Sequence, residues 1–457
     1  MRWCTIGLVV SIIVSHVTCV RYEPNWASID SRPLPGWYDD VKLGIFIHWG
    51  VFSVPSYSPK LIEEWFWWWW KGKKLQPYID YMNQNYKPGF TYADFGPQLT
   101  AEFFDANHWA EVFKSSGAEY VVFTAKHHEG YTNWPSKYSF NWNSMAVGPH
   151  KDIVGELAAA IKMNTSLHFG LYHSLFEWFN PLYLQDKANN FTTSDFVDRK
   201  TLPELYELIN TYQPEVIWSD GDWEANSSYW KSTEFLAWLY NDSPVKDTVV
   251  TNDRWGKDST CHHGGYLTCQ DYYQPGKLQK RKWENAMTID GHSWGFRRNA
   301  KLSDYLSIHT LISTFVETVS CGGNMLMNVG PTKEGFINPI FEERFKQFGE
   351  WMEVNSAAIR GTRPWKAQND TINSNVWYTM KGSDVYAIVL EWPQGDTLTL
   401  GSPIPSTSTT INLLGYPDQF QYTTRPSGGI DIKIPPIPAN KMPCQWVWSF
   451  LLSGLTN

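Results

Sequence analysis

The stretch GIFIHWG, residues 44–50, shows the pattern that decides the fold: a short, almost continuous apolar run with a histidine near its end. Six further runs of this kind follow: YVVFTAKHH (120–128), HFGLYHS (168–174), EVIWSDG (215–221), DTVVTNDRW (247–255), NAMTIDGHSW (285–294) and NMLMNVGP (324–331). Such apolar runs are typical of strands buried on both faces. Segments between them, such as DIVGELAAAIKMN (152–164) and LPELYELINTY (202–212), have helical spacing. This alternation predicts a (β/α)8-like parallel barrel, with an open doubly wound sheet as the alternative.

Polar side chains gather at the ends of these runs. In an α/β barrel the carboxyl ends of the strands form the active face, whereas the strand starts are structural. The polar residues at or just beyond such ends are His48, His127, His128, His173, Asp220 and Arg254. Six polar groups on one face are more than packing requires, so we predict that they form a functional site.

The sequence pattern changes after about residue 360. Short alternating segments such as VWYTMK (376–381), DVYAIVLEW (384–392) and GIDIKI (429–434) are separated by Gly, Pro, Ser and Asp turns. This pattern predicts an antiparallel β-sandwich. We therefore expect a barrel over residues 21–355 and a sandwich over residues 356–457, the latter in a supporting role because it has no titratable cluster.

Composition narrows the class of ligand. The 457 residues include 26 Trp, 24 Tyr and 24 Phe, only 18% are charged, and the net charge is −8. This composition excludes disorder, collagen and coiled coil. No Lys/Arg block is present to neutralise phosphates, which argues against nucleic-acid binding. A neutral ligand contacted by aromatic rings fits better.

The amino terminus predicts export. Residues 1–20 have a single Arg, an apolar run and a small, polar end, as in a cleaved signal peptide. That run is too short to span a membrane, so we expect a soluble mature protein without membrane association. Acceptors for N-glycosylation occur at Asn164, Asn190, Asn226, Asn241 and Asn369, of which Asn241 is the weakest because Pro244 follows its sequon.

Four cysteines remain after cleavage: Cys261, Cys269, Cys321 and Cys444. In an oxidising compartment we expect Cys261 and Cys269 to form a disulfide that closes a short loop. The segments KHHEG (126–130) and CHH (261–263) could instead suggest a metal, but they lack the paired spacing of a zinc site. We therefore expect no metal ligands and no cofactor.

The segment EVIWSDGDWE (215–224) is the strongest chemical signal. Alternation along a strand places Val216, Trp218 and Asp220 on one face, with Asp220 at the open end. A carboxylate there could attack carbon; alternatively, Asp220 caps a helix or holds a loop. Hydrolysis of a glycoside needs a second carboxyl group. Asp271 follows a predicted strand and should lie on the active face, whereas Glu284 precedes the next strand and should lie at the opposite end.

The segment EEWFWWWWKG (63–72) contains six consecutive aromatic residues, Trp65 to Trp70, after Glu64. These rings cannot all face one core from a helix or a strand. Indoles pack against the apolar faces of sugars, and a neighbouring carboxylate can bind hydroxyls, so a carbohydrate pocket is one explanation. The alternative is a loop whose rings pack under the rim of the barrel.

Together these motifs resemble the α-L-fucosidases of glycoside hydrolase family 29, of the animal lysosomal or secreted type. The resemblance extends from about Arg21 to the C-terminus and includes GIFIHWGVFSVP, EWFWWWW, KHHEGYTNWPS, LYHSLFEW, IWSDGDWE, NDRWG and GPTKEG. It implies a (β/α)8-like barrel, a C-terminal β-sandwich, and retaining hydrolysis of α-linked L-fucose from glycans without a cofactor. Two alternatives of other classes are a fucose-binding lectin without activity and a metal-dependent barrel hydrolase.

The resemblance also implies roles for single residues. Asp220 matches the family's nucleophile, and the acid/base is either Asp271 or Glu284. Beside Glu284 the chain departs from the family, with Ala286 where related enzymes commonly have Cys. Residues expected to hold fucose are His48, Glu64, Trp65, His127, His128, Tyr172 or His173, Arg254 and Trp294. Fucosylated glycans are the expected partners, and a homo-oligomer is possible.

Overall fold

The structure is a computed structural model that describes residues 20–59 and 61–457. Seven parallel strands form its main sheet: β1 (Leu43–Ile47), β2 (Tyr120–Lys126), β3 (His168–Ser174), β4 (Val216–Asp220), β5 (Val250–Thr251), β6 (Trp283–Thr288) and β7 (Gly323–Val329). Their spatial order is β5-β4-β3-β2-β1-β7-β6. Each strand overlaps one of the seven apolar runs, which confirms the predicted α/β architecture. Strand β6 begins two residues before its run, so Glu284 lies within the strand and does not precede it as expected.

The gap between β5 and β6 is bridged by a short extended segment. The amide of Tyr266 donates to Thr251 O at 2.9 Å on one side. On the other side, Leu267 N donates to Lys282 O at 2.9 Å and Leu267 O accepts from Glu284 N at 2.8 Å. A side chain at Gly265 would lie 2.2 Å from Thr251 O, so this approach requires glycine. These bonds complete the barrel-like ring.

Helices surround the sheet: α1 (Trp26–Ile29), α2 (Gly36–Val41), α3 (Gln76–Asn85), α4 (Ala106–Ser115), α5 (Ile153–Asn164), α6 (Pro181–Ala188), α7 (Leu202–Tyr212), α8 (Ser227–Trp230), α9 (Ser232–Asn241), α10 (Ile308–Ser320) and α11 (Pro339–Asn355). The two helices expected from apolar spacing are α5 and α7. Asp152 caps α5 by accepting from Gly155 N at 2.9 Å. No helix among the described residues is long and apolar enough to cross a bilayer.

Side-chain alternation along the strands separates two cores. Phe46, Val122, Tyr172, Trp218 and Leu326 are buried in a cluster inside the ring of strands. The alternate strand residues pack outward in a larger apolar cluster that includes several of the helices. Because the interior is filled with large rings, only the strand ends leave room for a ligand.

The C-terminal strands form two antiparallel sheets: β8 (Arg363–Asn369), β9 (Val376–Lys381), β10 (Asp384–Val389), β11 (Thr397–Leu400), β12 (Pro405–Leu413), β13 (Tyr422–Thr424), β14 (Ile430–Lys433) and β15 (Trp448–Leu455). One sheet has the order β12-β15-β10-β9-β8 and the other β11-β14-β13, with an apolar cluster formed from residues of both. This arrangement confirms the predicted sandwich. Trp351 of α11 donates to Val447 O at 2.8 Å, which joins the sandwich to the barrel. The predicted signal peptide falls almost entirely on residues 1–19, outside the described residues.

Candidate active site

A cavity of about 210 Å³ opens at the carboxyl ends of the strands. Its walls consist of aromatic rings, imidazoles, three carboxyl groups and one guanidinium group. The lining residues are Phe46, His48, Ile62, Glu64, Trp65, His127, His128, Tyr172, Trp218, Asp220, Trp223, Arg254, Asp271 and Trp294. Ten of the twelve catalytic and substrate-binding candidates from the sequence are among them; His173 and Glu284 are not.

Asp220 is the last residue of β4, and its carboxyl group is bound on both sides. Its Oδ2 accepts a hydrogen bond from Tyr172 OH at 2.7 Å, and its Oδ1 lies 3.3 Å from Arg254 Nη1. Burial raises the pKa of Asp220 above its ordinary value, and the charge of Arg254 acts in the opposite direction. The side chain is only 11% exposed, so the carboxyl group is oriented and largely shielded from water.

Arg254 connects Asp220 to Asp271. Its Nη2 donates to Asp271 Oδ1 at 2.7 Å, and its planar group stacks 4.7 Å above the ring of Trp218. Burial by itself would lower the pKa of Arg254, but the charges of Asp271 and Asp220 outweigh burial and raise it. A permanently charged guanidinium group therefore holds both carboxyl groups at one cavity.

The loop of Asp271 is fixed by Asp253, a residue that the sequence analysis did not single out. Asp253 is fully buried and accepts from Thr268 N at 2.9 Å, from Cys261 N at 2.8 Å and from Cys269 N at 3.2 Å. A disulfide joins Cys261 and Cys269, as predicted. The loop therefore has a defined position although it contains no helix or strand.

Glu284 lies elsewhere. It is the second residue of β6 and is fully buried at the amino end of the barrel interior. Its carboxylate accepts from Tyr38 OH and Tyr120 OH at 2.7 Å each, and from Trp218 Nε1 at 2.9 Å. The structure thus places Glu284 beneath Trp218, which separates it from the cavity that Asp271 lines.

Three of the predicted histidines face the cavity as neutral imidazoles. Burial lowers the pKa of His48 and of His127 to about 3, and that of His128 well below its ordinary value. Asn328 accepts from His48 Nδ1 at 2.7 Å, since its own amide nitrogen donates to Trp294 O at 2.8 Å. His48 Nε2 is then an acceptor, as a sugar hydroxyl requires.

His173, in contrast, points away from the cavity. It contacts Glu204 of α7 at 3.2 Å, on the outer face of β3, whereas its neighbour Tyr172 faces inward. Of the two residues that the resemblance left open, Tyr172 lines the cavity and His173 does not. The reason is the two-residue period of a strand.

The aromatic segment combines both explanations that the sequence allowed. Trp65 lines the cavity, and Glu64 beside it accepts from Gly295 N at 3.0 Å. Burial raises the pKa of Glu64 to about 7. The later rings pack against other aromatic side chains: Trp67 stacks on Trp178 at 5.6 Å, for example. Of the five indoles in the run, only that of Trp65 lines this cavity.

Several residues of the site gave no clear signal in the sequence. Phe46, Ile62 and Trp223 line the cavity, and Asn328 orients His48. Three of these residues lie within the quoted segments GIFIHWG, IWSDGDWE and NMLMNVGP, but nothing in those segments singles them out. Their position within the apolar runs or beside them is the only feature of the sequence that indicates a place at the site. Within the described part of the chain, no group of three or more His, Cys, Asp or Glu side chains could hold a metal ion.

The cavity is aromatic and large enough for one sugar, and two of its carboxyl groups bind one guanidinium group. A barrel with such a cavity has the features of a glycoside hydrolase. The family model described as α-L-fucosidase matches residues 9–357, and the model of the α-L-fucosidase C-terminal domain matches residues 368–453. The chain therefore belongs to the α-L-fucosidase family. It is a hydrolase that acts on fucosylated substrates.

Individual relatives agree with this assignment. The α-L-fucosidase of Branchiostoma floridae is 60% identical over 436 residues, which cover 95% of this chain and 96% of that protein. The tissue α-L-fucosidase of Homo sapiens is 53% identical, over 95% and 92% of the two chains. The solved structure of Thermotoga maritima α-fucosidase in complex with fucose is 29% identical, covers 94% of this chain and 100% of its own, and has a TM-score of 0.80.

Proposed function

We propose that the protein is a retaining exo-glycosidase that releases α-linked L-fucose from glycoproteins and glycolipids. The observation on which this proposal depends is the pair Asp220 and Asp271, both bound to Arg254 at the cavity. Retaining glycosidases use two carboxyl groups about 5–5.5 Å apart, one as nucleophile and one as acid/base. Their unequal exposure fits two different roles: 11% for the side chain of Asp220 and 45% for that of Asp271.

In the first step Asp220 attacks the anomeric carbon while Asp271 donates its proton to the leaving oxygen. A bond forms between the Asp220 carboxylate and the sugar, and the bond between the anomeric carbon and the aglycone breaks. Tyr172 OH and Arg254 orient the attacking carboxylate. In the second step Asp271 removes a proton from water, which attacks the fucosyl-enzyme and releases fucose with its original configuration.

The remaining lining residues hold the sugar. The neutral imidazoles of His48, His127 and His128 can accept hydrogen bonds from hydroxyls, and the carboxyl group of Glu64 can also form hydrogen bonds with hydroxyls. Trp65 and Trp294 offer flat apolar faces to the ring and its methyl group. This chemistry needs no metal and no organic cofactor.

We further propose that the protein is lysosomal or secreted and that it carries N-linked glycans. Asn164, Asn190 and Asn226 are exposed, as an acceptor must be. Asn241 exchanges two hydrogen bonds of 2.8 Å with the backbone of Tyr22, and the amide of Asn369 donates to two carbonyls at 2.9 Å. Asn164 is bound as well, because its Nδ2 donates to Asn107 Oδ1 at 2.6 Å, so Asn190 and Asn226 are the favoured acceptors.

The nucleophile is tested by Asp220→Gly with azide. This variant should lose turnover of an aryl α-L-fucoside by several powers of ten, on the order of 10⁴. Azide should partly restore turnover and yield the β-fucosyl azide, because it attacks from the side that Asp220 has vacated. Asp222→Asn is the matched control, since Asp222 binds Thr260 and does not line the cavity. An α-azide product, or equal damage in the control, would refute the role of Asp220.

A further inference from the structure

The cavity has room for one sugar, but the substrate of a fucosidase also contains the group to which fucose is attached. Its volume of about 210 Å³ is below the roughly 300–1,000 Å³ of pockets that enclose drug-sized ligands. In the bound substrate, the group attached to fucose must therefore extend out through the mouth of the cavity. The difference in exposure between Asp220 and Asp271 shows that the mouth lies on the side of Asp271, where the leaving oxygen is protonated.

Two exposed aromatic residues stand at this mouth, Trp223 and Tyr272, each 42% exposed. Among the described residues, Trp223 is the only tryptophan that exposes so much of its ring. It lies three residues after Asp220 and stacks on Trp65 at 5.9 Å. An exposed indole beside a ligand cavity is costly in water and is characteristic of a binding surface.

Tyr272 directly follows Asp271 in the chain. Its ring lies 5.7 Å from that of Trp294, which lines the cavity. Its backbone has a φ of +54°, a left-handed conformation that is unfavourable for a residue other than glycine. The amide of Tyr272 donates to Ala286 O at 2.9 Å, which fixes this conformation against β6. The ring is thus held at the mouth by the same scaffold that holds Asp271.

We propose that Trp223 and Tyr272 form a binding subsite for the sugar ring to which fucose is attached. This inference rests on the proposed function, in which Asp271 protonates the oxygen shared by the two sugars. A pyranose ring has apolar C–H faces that pack on aromatic rings, whereas a flexible alkyl or peptide group would not match flat surfaces. The subsite therefore selects fucose linked to a carbohydrate over fucose linked to a flexible alkyl or peptide aglycone.

The subsite is tested by comparing two substrates. One is a fucosyl disaccharide, whose leaving group is a pyranose; the other is α-L-fucosyl fluoride, whose leaving group is one atom and cannot reach the subsite. For Trp223→Ala and Tyr272→Ala we expect kcat/KM on the disaccharide to fall about tenfold or more, as for a buried aromatic anchor. For Tyr272→Ala, which does not alter the cavity lining, the fall on the fluoride should be much smaller; for Trp223→Ala, which does alter it, the disaccharide should still lose more than the fluoride. Trp223→Phe, which keeps a flat ring, should recover part of the loss.

A transfer assay gives a second readout. With fucosyl fluoride as donor and a methyl pyranoside as acceptor, the ratio of transfer to hydrolysis should fall in both alanine variants, because the acceptor binds where the leaving sugar was. Phe140→Ala, which removes an exposed ring outside the cavity lining, is the control. It should change neither the ratio of transfer to hydrolysis nor the ratio of kcat/KM on the disaccharide to kcat/KM on the fluoride. Equal losses on both substrates, or no loss on the disaccharide, would overturn the subsite. Failure of the unaltered protein to hydrolyse the fluoride would instead contradict the proposed function.

Discussion

Alanine at Glu284 and alanine at Asp271 should have opposite consequences for stability and catalysis. Glu284 is fully buried and accepts three hydrogen bonds, from Tyr38, Tyr120 and Trp218. Asp271 is 45% exposed and has one ion pair, with Arg254. The two variants therefore separate a carboxylate that supports the cavity floor from one that takes part in the reaction.

The size of the effect on stability follows from these contacts. Glu284→Ala leaves three buried donors without an acceptor, and each unsatisfied group costs about 1–3 kcal/mol. We expect the free energy of unfolding to fall by about 3 kcal/mol or more. Asp271→Ala removes a partly exposed ion pair, which is worth about 0–1 kcal/mol. Glu284→Gln is the matched control: its oxygen can still accept from Trp218, and its amide can donate to the tyrosine hydroxyls.

Catalysis should show the reverse pattern. Without Asp271 the hydrolysis of a natural fucoside, which has a poor leaving group, should fall by about 10²–10⁴-fold. The first step on an activated aryl fucoside should be spared, and azide should accelerate the second step and yield the α-fucosyl azide. Glu284→Ala should lower kcat/KM evenly across leaving groups, because Trp218 beneath Arg254 loses its anchor.

The assay combines thermal unfolding with a series of aryl fucosides whose leaving groups differ in pKa. Our reasoning is wrong if Glu284→Ala alone shows the dependence on leaving group and the α-azide product. It is also wrong if Asp271→Ala unfolds as readily as Glu284→Ala, since its loss of activity would then reflect loss of the fold.

Three further predictions concern pH, the loop and metals. Burial raises the pKa of Glu129 from 4.5 to about 8, so the contribution of Glu129 to stability is complete below pH 4.5 and is lost as the pH rises through 8. The thermal unfolding midpoints at pH 5 and pH 8 should therefore differ less for Glu129→Gln than for the unaltered protein. An equal difference would contradict this role of Glu129. Asp253→Ala should lower kcat/KM on natural fucosides by at least about tenfold because the loop of Asp271 loses its acceptor; unchanged kinetics would show that the disulfide alone positions the loop. Activity on an aryl fucoside should survive EDTA, and a loss that Zn²⁺ restores would refute the metal-free mechanism.

Much of the fold could be predicted because it depends on local patterns. Seven apolar runs became seven strands, and the two-residue period placed Trp218 and Asp220 on the inner face of β4. Parallel strands of one sheet end on the same side, so residues from distant runs, such as His48 and His128, could be expected at one site. The sequence by itself therefore determined the architecture, the active face and the candidate nucleophile.

Only the tertiary structure decided which of the remaining candidates meet. Glu284 and Asp271 are both acidic residues near a strand, but the structure shows that one lies under Trp218 and the other beside Arg254. The loop of Asp271 has no periodicity, and its position depends on hydrogen bonds to Asp253 and on a disulfide. Similarly, one indole of the aromatic run reaches the cavity because the others find partners elsewhere in the chain. Contacts between residues far apart in sequence decide these positions, and local sequence patterns contain no information about such contacts.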